Sequence, residues 1–392
     1  MTSTSAISFD DALAAAREGI ITREIASRLI RARAGSELDS LMMAAAQLRD
    51  ELKGRCVTYS KKVFIPLTNL CRDYCGYCTF RKNPQDVNAR TMTPDEVIAV
   101  AEAGARLGCR EALFSLGDRP EALFPEMRET LARLGHRSTL GYLTEMCERV
   151  LNETGLLPHA NPGLMARKDL ETLRQFNPSL GLMLESTSER LMLAGMAHDN
   201  APDKRPSLRL KTIEEAGRLK IPFTTGILIG IGETLDERVD SLFTIRELNC
   251  AYGHIQEVII QNFRAKPDIP MRLHPEPSFN DLARTIAVAR LVLGEMNVQA
   301  PPNLSDENYP TLVRAGLNDW GGISPLTKDF INPEKPWPHI DALAKRTVDE
   351  GFELRERLAV YPEFVYRDEF IDARVAERVR SMADERGLAR VD

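Results

Sequence analysis

The chain has 392 residues, 43% hydrophobic and 28% charged, an ordinary globular composition whose size suits one large α/β barrel or two smaller domains. Its 51 Lys and Arg against 57 Asp and Glu give a formal charge of −6, so no basic excess or polybasic arm points to nucleic acid. No stretch approaches 18 uninterrupted apolar residues, and residues 1–5 lack the positive start and apolar core of a signal peptide, so a cytoplasmic protein without a membrane span is expected.

Residues 8–53 carry apolar residues at three- and four-residue spacing, which predicts an N-terminal helical extension over 1–54. From Val63 onward short apolar strands alternate with helices, the mark of a parallel sheet. Strands are expected at 63–67, 111–116, 156–160, 179–184, 221–231, 255–263 and 298–300, with an eighth about Trp320. Thr93 and Thr234, each followed three residues later by a glutamate, predict capping boxes that open helices. Further helices are expected at 121–134 and 142–151. The G-x-G-x-x-G fingerprint of a dinucleotide fold is missing. This order predicts an α/β fold, a (β/α) TIM-type barrel, complete or partial, over 55–345, followed by a C-terminal helical segment over 346–392.

Directly after the first strand come Cys71, Cys75 and Cys78, at C-x3-C-x2-C spacing. Thiolates so close on one loop can converge on an inorganic centre, and soft ligands of this kind select zinc, copper(I) or iron–sulfur. A closed zinc site takes four Cys or His ligands, and no second paired set exists in the sequence. A [4Fe–4S] cluster held by three cysteines leaves one iron open to a small molecule. The other cysteines, Cys56, Cys109, Cys147 and Cys250, are scattered, which suits a reducing compartment rather than a disulfide framework.

In a barrel, chemistry gathers at the C-terminal ends of the strands. Gly117-Asp118 ends the second strand, as a simple turn or as a backbone edge for a ligand. Glu185 ends the fourth, where an acid is costly to bury without a partner. Gly226, Gly230 and Gly232 space the end of the fifth and allow close backbone approach. Gln261, Asn262 and Lys266 follow the sixth, and Asn303, Asn318 and Asp319 lie near the last strands; these side chains either read a substrate or cap turns. Trp320 and Trp337 read as packing residues.

The cysteine spacing, with Tyr77 just before the third thiol, resembles the signature of the radical S-adenosylmethionine (SAM) superfamily. That resemblance implies a [4Fe–4S] cluster on Cys71, Cys75 and Cys78 whose open iron chelates SAM. It also implies an external electron donor and reductive cleavage of SAM to methionine and a 5′-deoxyadenosyl radical. Tyr77, Gly117, Asp118, Glu185, Arg209, Gly226 and Gly230 then stand as cofactor-binding positions. Where many members carry Gly-Gly-Glu, this chain has Leu116-Gly117-Asp118. More narrowly, residues 68–81, 223–234, 261–263 and 317–325 resemble the CofG-type subunit of deazaflavin FO synthase, a likeness covering roughly 55–345. It implies a tyrosine-derived hydroxybenzyl adduct of a ribitylaminouracil as substrate, supplied by a CofH-type partner enzyme, and ring closure with release of ammonia. Gln261, Asn262, Lys266, Asn318 and Asp319 would contact that substrate. The alternatives are a relative acting on tyrosine or a menaquinone-pathway intermediate, the CofH-type reaction, or an iron–sulfur carrier or zinc-stabilised binding protein. The chain is expected to be too short for a fusion of both subunits.

Overall fold

A computed structural model describes residues 7–391. Three helices open it: α1 (Phe9–Arg17), α2 (Arg23–Leu29) and α3 (Ser36–Lys53). The chain then runs β1 (Cys56–Thr68), α4 (Pro94–Arg106), β2 (Glu111–Leu116), α5 (Pro125–Arg133), α6 (Thr139–Thr154), β3 (Leu157–Asn161), α7 (Arg167–Leu173) and β4 (Ser179–Gly181). It continues through α8 (Pro206–Arg218), β5 (Phe223–Ile229), α9 (Leu235–Tyr252), β6 (Ile255–Asn262), α10 (Phe279–Leu293), β7 (Asn297–Gln299) and β8 (Asp319–Ile323). The last elements are α11 (Ile340–Asp349), β9 (Glu353–Glu356), α12 (Pro362–Val365) and α13 (Ala373–Met382).

Strands β1 to β8 pair in sequence order, all parallel, and β1 closes the ring against both β2 and β8. The barrel is therefore complete. Its outer face is the apolar core: Val63, Ile65 and Leu67 of β1 are fully buried, and Val63 packs on Gly104 of α4. The alternate positions Lys62 and Phe64 point into the lumen. Both expected capping boxes form, with Glu96 N donating to Thr93 Oγ1 at 3.4 Å and Glu237 N to Thr234 Oγ1 at 3.2 Å.

Two expectations need correction. The fourth strand stops at Gly181, because Glu185 adopts a left-handed backbone (φ 65°) and regular pairing gives way to single contacts with β5. The C-terminal segment is not wholly helical, since Glu353–Glu356 pairs with the first residues of β1. Its polar, half-exposed side chains carry no strand-like alternation of apolar residues, which hid it from pattern reading. The N-terminal helices pack outside the barrel. Arg31 forms a bidentate pair with Asp236 of α9, and buried Arg49 donates to the carbonyls of Val313 and Leu317 at 2.9 and 2.5 Å.

Candidate active site

The loop after β1 carries the three cysteines across the C-terminal mouth of the barrel, and its backbone is tied on several sides. Tyr74 N donates to Asn200 O (2.8 Å), Gly76 N to Ala197 O (2.7 Å) and Arg72 N to Asp118 O (3.1 Å). Gly117 is required beneath it. A Cβ there would fall 1.9 Å from Leu70 O and 2.6 Å from Cys71 Cβ. The N–H groups of Asp73 and Asp118 point at Cys71 Sγ, at 3.4 and 3.2 Å.

Below the loop lies a cavity of about 250 Å³. All three cysteines line it, together with Tyr77, Gly117, Asp118, Glu185, Arg209, Gln261, Asn262 and Lys266. Burial pushes the Cys71 thiol up to about 12 and the Cys75 thiol well above its usual range, so neither is a ready nucleophile. A bound metal deprotonates a coordinating thiol outright.

Other residues converge from elements that pattern reading did not link. Glu185 finds its partner in Lys204, whose Nζ donates to Oε1 at 2.6 Å. Tyr77 OH sits 3.1 Å from buried His198 Nε2. Asp73, Asp118 and Asp203 bring carboxylate oxygens within 4.8 Å of one another, and Arg119 and Arg72 pair with Asp203. Asp118 is pushed up to about 7 by burial, then by Asp203 and Asp73. Arg209 spans Met183 O (2.6 Å) and Asp203 O (3.3 Å). Lys204, Asp73 and Asp203 had no signal in the sequence beyond their type, because tertiary contact alone makes them neighbours.

Several expected positions fall elsewhere. Gly226 and Gly230 do not line the cavity: a Cβ on Gly226 would meet Ile259 O at 2.2 Å, and Gly230 (φ +86°) abuts Pro277. The turn after β5 is closed by Glu233, which accepts from Gly230 N and Ile231 N at 2.7 and 2.8 Å. Asn318 and Asp319 begin β8, at the end away from the mouth, and their side chains are engaged. Asn318 bonds Arg290 (2.6 Å) and Asn297 (2.8 Å), while Asp319 holds Arg357 Nε at 2.7 Å. Strand direction was legible for β8, but its length was not. Asn303 bonds Asp329 and Lys335 O, outside the cavity wall.

The donor set fits an iron–sulfur cluster with a polar ligand beside it. Around a single zinc ion at ~2.3 Å per bond, sulfurs lie less than ~4 Å apart. Among the described residues, the group of three metal-binding side chains drawn within 4.8 Å is the Asp73, Asp118 and Asp203 set, not the thiols. The wall also holds unmet hydrogen-bonding capacity, since buried Asn262 Oδ1 has no hydrogen-bond partner and Asp118 Oδ1 only a 3.4 Å ion pair with Arg119 Nε. Glu185, a non-glycine residue held left-handed at the rim, is the kind of backbone strain that gathers at functional sites.

A closed parallel barrel with three thiols over its mouth defines the radical SAM class of protein. The Radical SAM superfamily model matches residues 65–245. The chain is 51% identical over 334 residues to the 7,8-didemethyl-8-hydroxy-5-deazariboflavin synthase of Methanopyrus kandleri, covering 85% of this chain and 100% of that protein. It is 50% identical to the FO synthase of Streptomyces avermitilis over 100% of this chain but 47% of that protein, and 48% identical to that of Mycobacterium tuberculosis (96% and 46%). The chain thus spans about half the length of these FO synthases. In fold it is similar to the FeFe-hydrogenase maturase HydG of Carboxydothermus hydrogenoformans (TM-score 0.71, 19% identity, 96% of this chain and 86% of that one). It is likewise similar to methylornithine synthase PylB (TM-score 0.69, 19% identity, 88% and 97%).

The chain belongs to the radical SAM superfamily and, within it, to the 7,8-didemethyl-8-hydroxy-5-deazariboflavin (FO) synthase family, on the half that stands as a separate protein in Methanopyrus kandleri. Among the described residues no helix is long and apolar enough to cross a membrane.

Proposed function

We propose that this chain is the radical SAM enzyme that closes the deazaflavin ring, forming FO and releasing ammonia, a lyase acting in the cytoplasm. The substrate is 5-amino-5-(4-hydroxybenzyl)-6-(D-ribitylimino)-5,6-dihydrouracil, received from a CofH-type partner enzyme. One observation carries the reading: one cavity at the barrel mouth is lined both by the three thiols and by Gln261, Asn262 and Lys266 at and after the end of β6.

When bound, a [4Fe–4S] cluster with SAM, reduced by an external donor, supplies a 5′-deoxyadenosyl radical. Cys71, Cys75 and Cys78 would hold that cluster. The chain's own part is placement and exclusion of water. Arg209, fixed by two carbonyls, offers its guanidinium to a carboxylate. The Asp118 carboxylate and the backbone beside Gly117 would bind an ammonium, and Glu185, locked by Lys204, would accept from hydroxyl groups. Asn262 has Nδ2 engaged by Leu304 O (3.0 Å), which leaves its buried Oδ1 to accept from a substrate N–H or O–H. Lys266 Nζ is anchored on Arg264 O (3.1 Å), and burial lowers its pKa, so it can give up a proton more easily than an exposed lysine.

The test is anaerobic reconstitution with iron and sulfide, followed by SAM, dithionite and the purified adduct. The expected products are FO, detected by its fluorescence, with 5′-deoxyadenosine and ammonia. Formation of 5′-deoxyadenosine with tyrosine but not with the adduct would move the substrate assignment to another member of the superfamily.

A further inference from the structure

Deeper in the barrel the lumen is not filled by apolar side chains alone. Inward positions alternate along each strand. Ser115 on β2 lines the upper cavity, and Leu113 and Glu111 line a second one beneath it; on β6, Gln261 gives way to Ile259 and Glu257. This lower chamber has a volume of about 120 Å³, and Asn161 at the end of β3 lines both spaces. Barrel lumens are ordinarily packed by Val, Ile and Leu. Here Lys62, Glu111, Thr224 and Gln299 share the wall with Phe64, Leu113, Ile259, Trp320 and Trp337.

The sequence clears that room with a glycine pair in β8. A Cβ on Gly321 (φ +73°) would fall 2.1 Å from Gln299 Nε2, and one on Gly322 would fall 2.4 Å from Lys62 Cε. Side chains at those two positions would force Gln299 and Lys62 out of place. The charged side chains of the chamber already have partners, Arg357 being shared between Glu257 and Asp319. Lys62 Nζ donates to Glu111 Oε1 at 2.6 Å, and Arg357 Nη2 to Glu257 Oε2 at 3.2 Å. An interior whose charges are already engaged disfavours an ionic guest, which would have to leave water without a free counter-charge. A neutral, hydroxyl-rich guest gains hydrogen bonds there. The chamber is large enough for several waters, whose places the hydroxyls of a tetrahydroxylated chain can take.

We propose that this chamber is the subsite for the ribityl chain of the substrate, with Lys62, Glu111 and Gln299 bonding its hydroxyls and Gly321 and Gly322 giving it room. The assignment rests on the deazaflavin-forming reading above and makes the chamber a specificity device, because a uracil lacking the polyol forgoes the hydrogen bonds these polar groups offer.

The experiment is equilibrium binding of two probes to the reconstituted enzyme, 5-amino-6-(D-ribitylamino)uracil and 5,6-diaminouracil. Wild type is expected to bind the ribityl compound at least ~10-fold more tightly, the scale of one lost hydrogen-bonding group. Gly322→Ala needs only the flexible end of Lys62 to shift, and Gln299→Leu removes the amide at similar size; each should bring the ratio of the two dissociation constants close to one. A ratio within one preparation is insensitive to partial loading or partial unfolding. A wild-type ratio near one, or a ratio unchanged in both variants, overturns the proposal. FO formation by wild type tests the parent reading separately. Wild type that makes FO with an unaltered ratio in the variants sinks only the chamber, whereas a polyol preference abolished by the variants supports the chamber even where no FO appears.

Discussion

Gly117→Ala places one methyl group between β2 and the thiol loop. Its nearest neighbours are backbone: Leu70 O at 1.9 Å and Leu70 C at 2.6 Å, with Cys71 Cβ also at 2.6 Å. Ordinary contact begins at 3.4 Å, so about 1.5 Å (3.4 less 1.9) must be taken up by the main chain that carries Cys71. Overpacking of this sort costs roughly 1–3 kcal/mol, a minor part of the ~5–15 kcal/mol that stabilises a folded protein. The barrel should therefore fold, with a thermal midpoint a few degrees lower. The shift is nonetheless about three times the ~0.5 Å tolerance of a built site, and it disturbs the Asp118 N–H contact to Cys71 Sγ. We expect less than half the wild-type iron and acid-labile sulfide per chain after anaerobic reconstitution, and a matching loss of 5′-deoxyadenosine formation. Gly104→Ala is the control, since its Cβ would press on Val63 at 2.9 Å on the outer face of the barrel, away from the loop. Equal iron loss in both variants, or full iron in Gly117→Ala, would refute the claim that this glycine seats the cluster loop.

Removing one thiol by Cys75→Ala should abolish 5′-deoxyadenosine formation while circular dichroism stays that of wild type; retained turnover would show that Cys75 is not a ligand. Lys204→Met strands the Glu185 carboxylate in a buried site, a loss of about 3–5 kcal/mol in urea unfolding, and adding Glu185→Gln should restore part of it. No recovery in the double variant would mean the two side chains do not act as a pair. Burial holds His159 and His254 each down to about 4, against an ordinary 6.5. Their contribution to stability is present above about pH 6.5 and is lost as the pH falls toward 4, on the order of 3 kcal/mol for each. His254→Gln, which removes the ring whose Nδ1 is buried without a partner, should flatten the fall of the urea midpoint over that range. An unchanged slope would refute the assignment.

Barrel topology was legible because β/α alternation and capping boxes are local signals, and the thiol spacing is local too. Gly117, Asp118, Gln261 and Asn262 of the cavity wall were legible because each ends a strand or follows it within two residues, whereas Glu185, Arg209 and Lys266 lie outside the regular strands. Asn318 and Asp319 misled because a residue's height in the barrel depends on where its strand begins, and Arg357, 38 residues further on, claims Asp319 from below. Likewise, Gly226 and Gly230 signal close approach correctly, but the approach is to Ile259 and Pro277 rather than to a ligand. Lys204, Asp73 and Asp203 were illegible because single charged residues on loops look alike until the fold brings them together.

The small ninth strand accounts for how a charged lumen can exist at all. Glu353–Glu356 pairs with the start of β1 and delivers Arg357 beneath the barrel, where it bonds Asp319 and Glu257. Ala359 O then accepts from Ser179 Oγ (2.5 Å) and Gln256 Nε2 (3.3 Å), and Tyr361 N donates to Gln256 Oε1 (3.1 Å). Without this floor, Glu257 and Asp319 would face water at one end and a mixed polar chamber at the other. Buried ion pairs are weak evidence of stability, since apolar side chains of equal volume serve as well. An apolar plug, however, would leave the Lys62–Glu111 pair bonded only to itself and Ser60, and Gln299 without a polar neighbour in the space it faces. The fold therefore draws its stability from the apolar shell between strands and helices, while its lumen carries paired charges among apolar side chains.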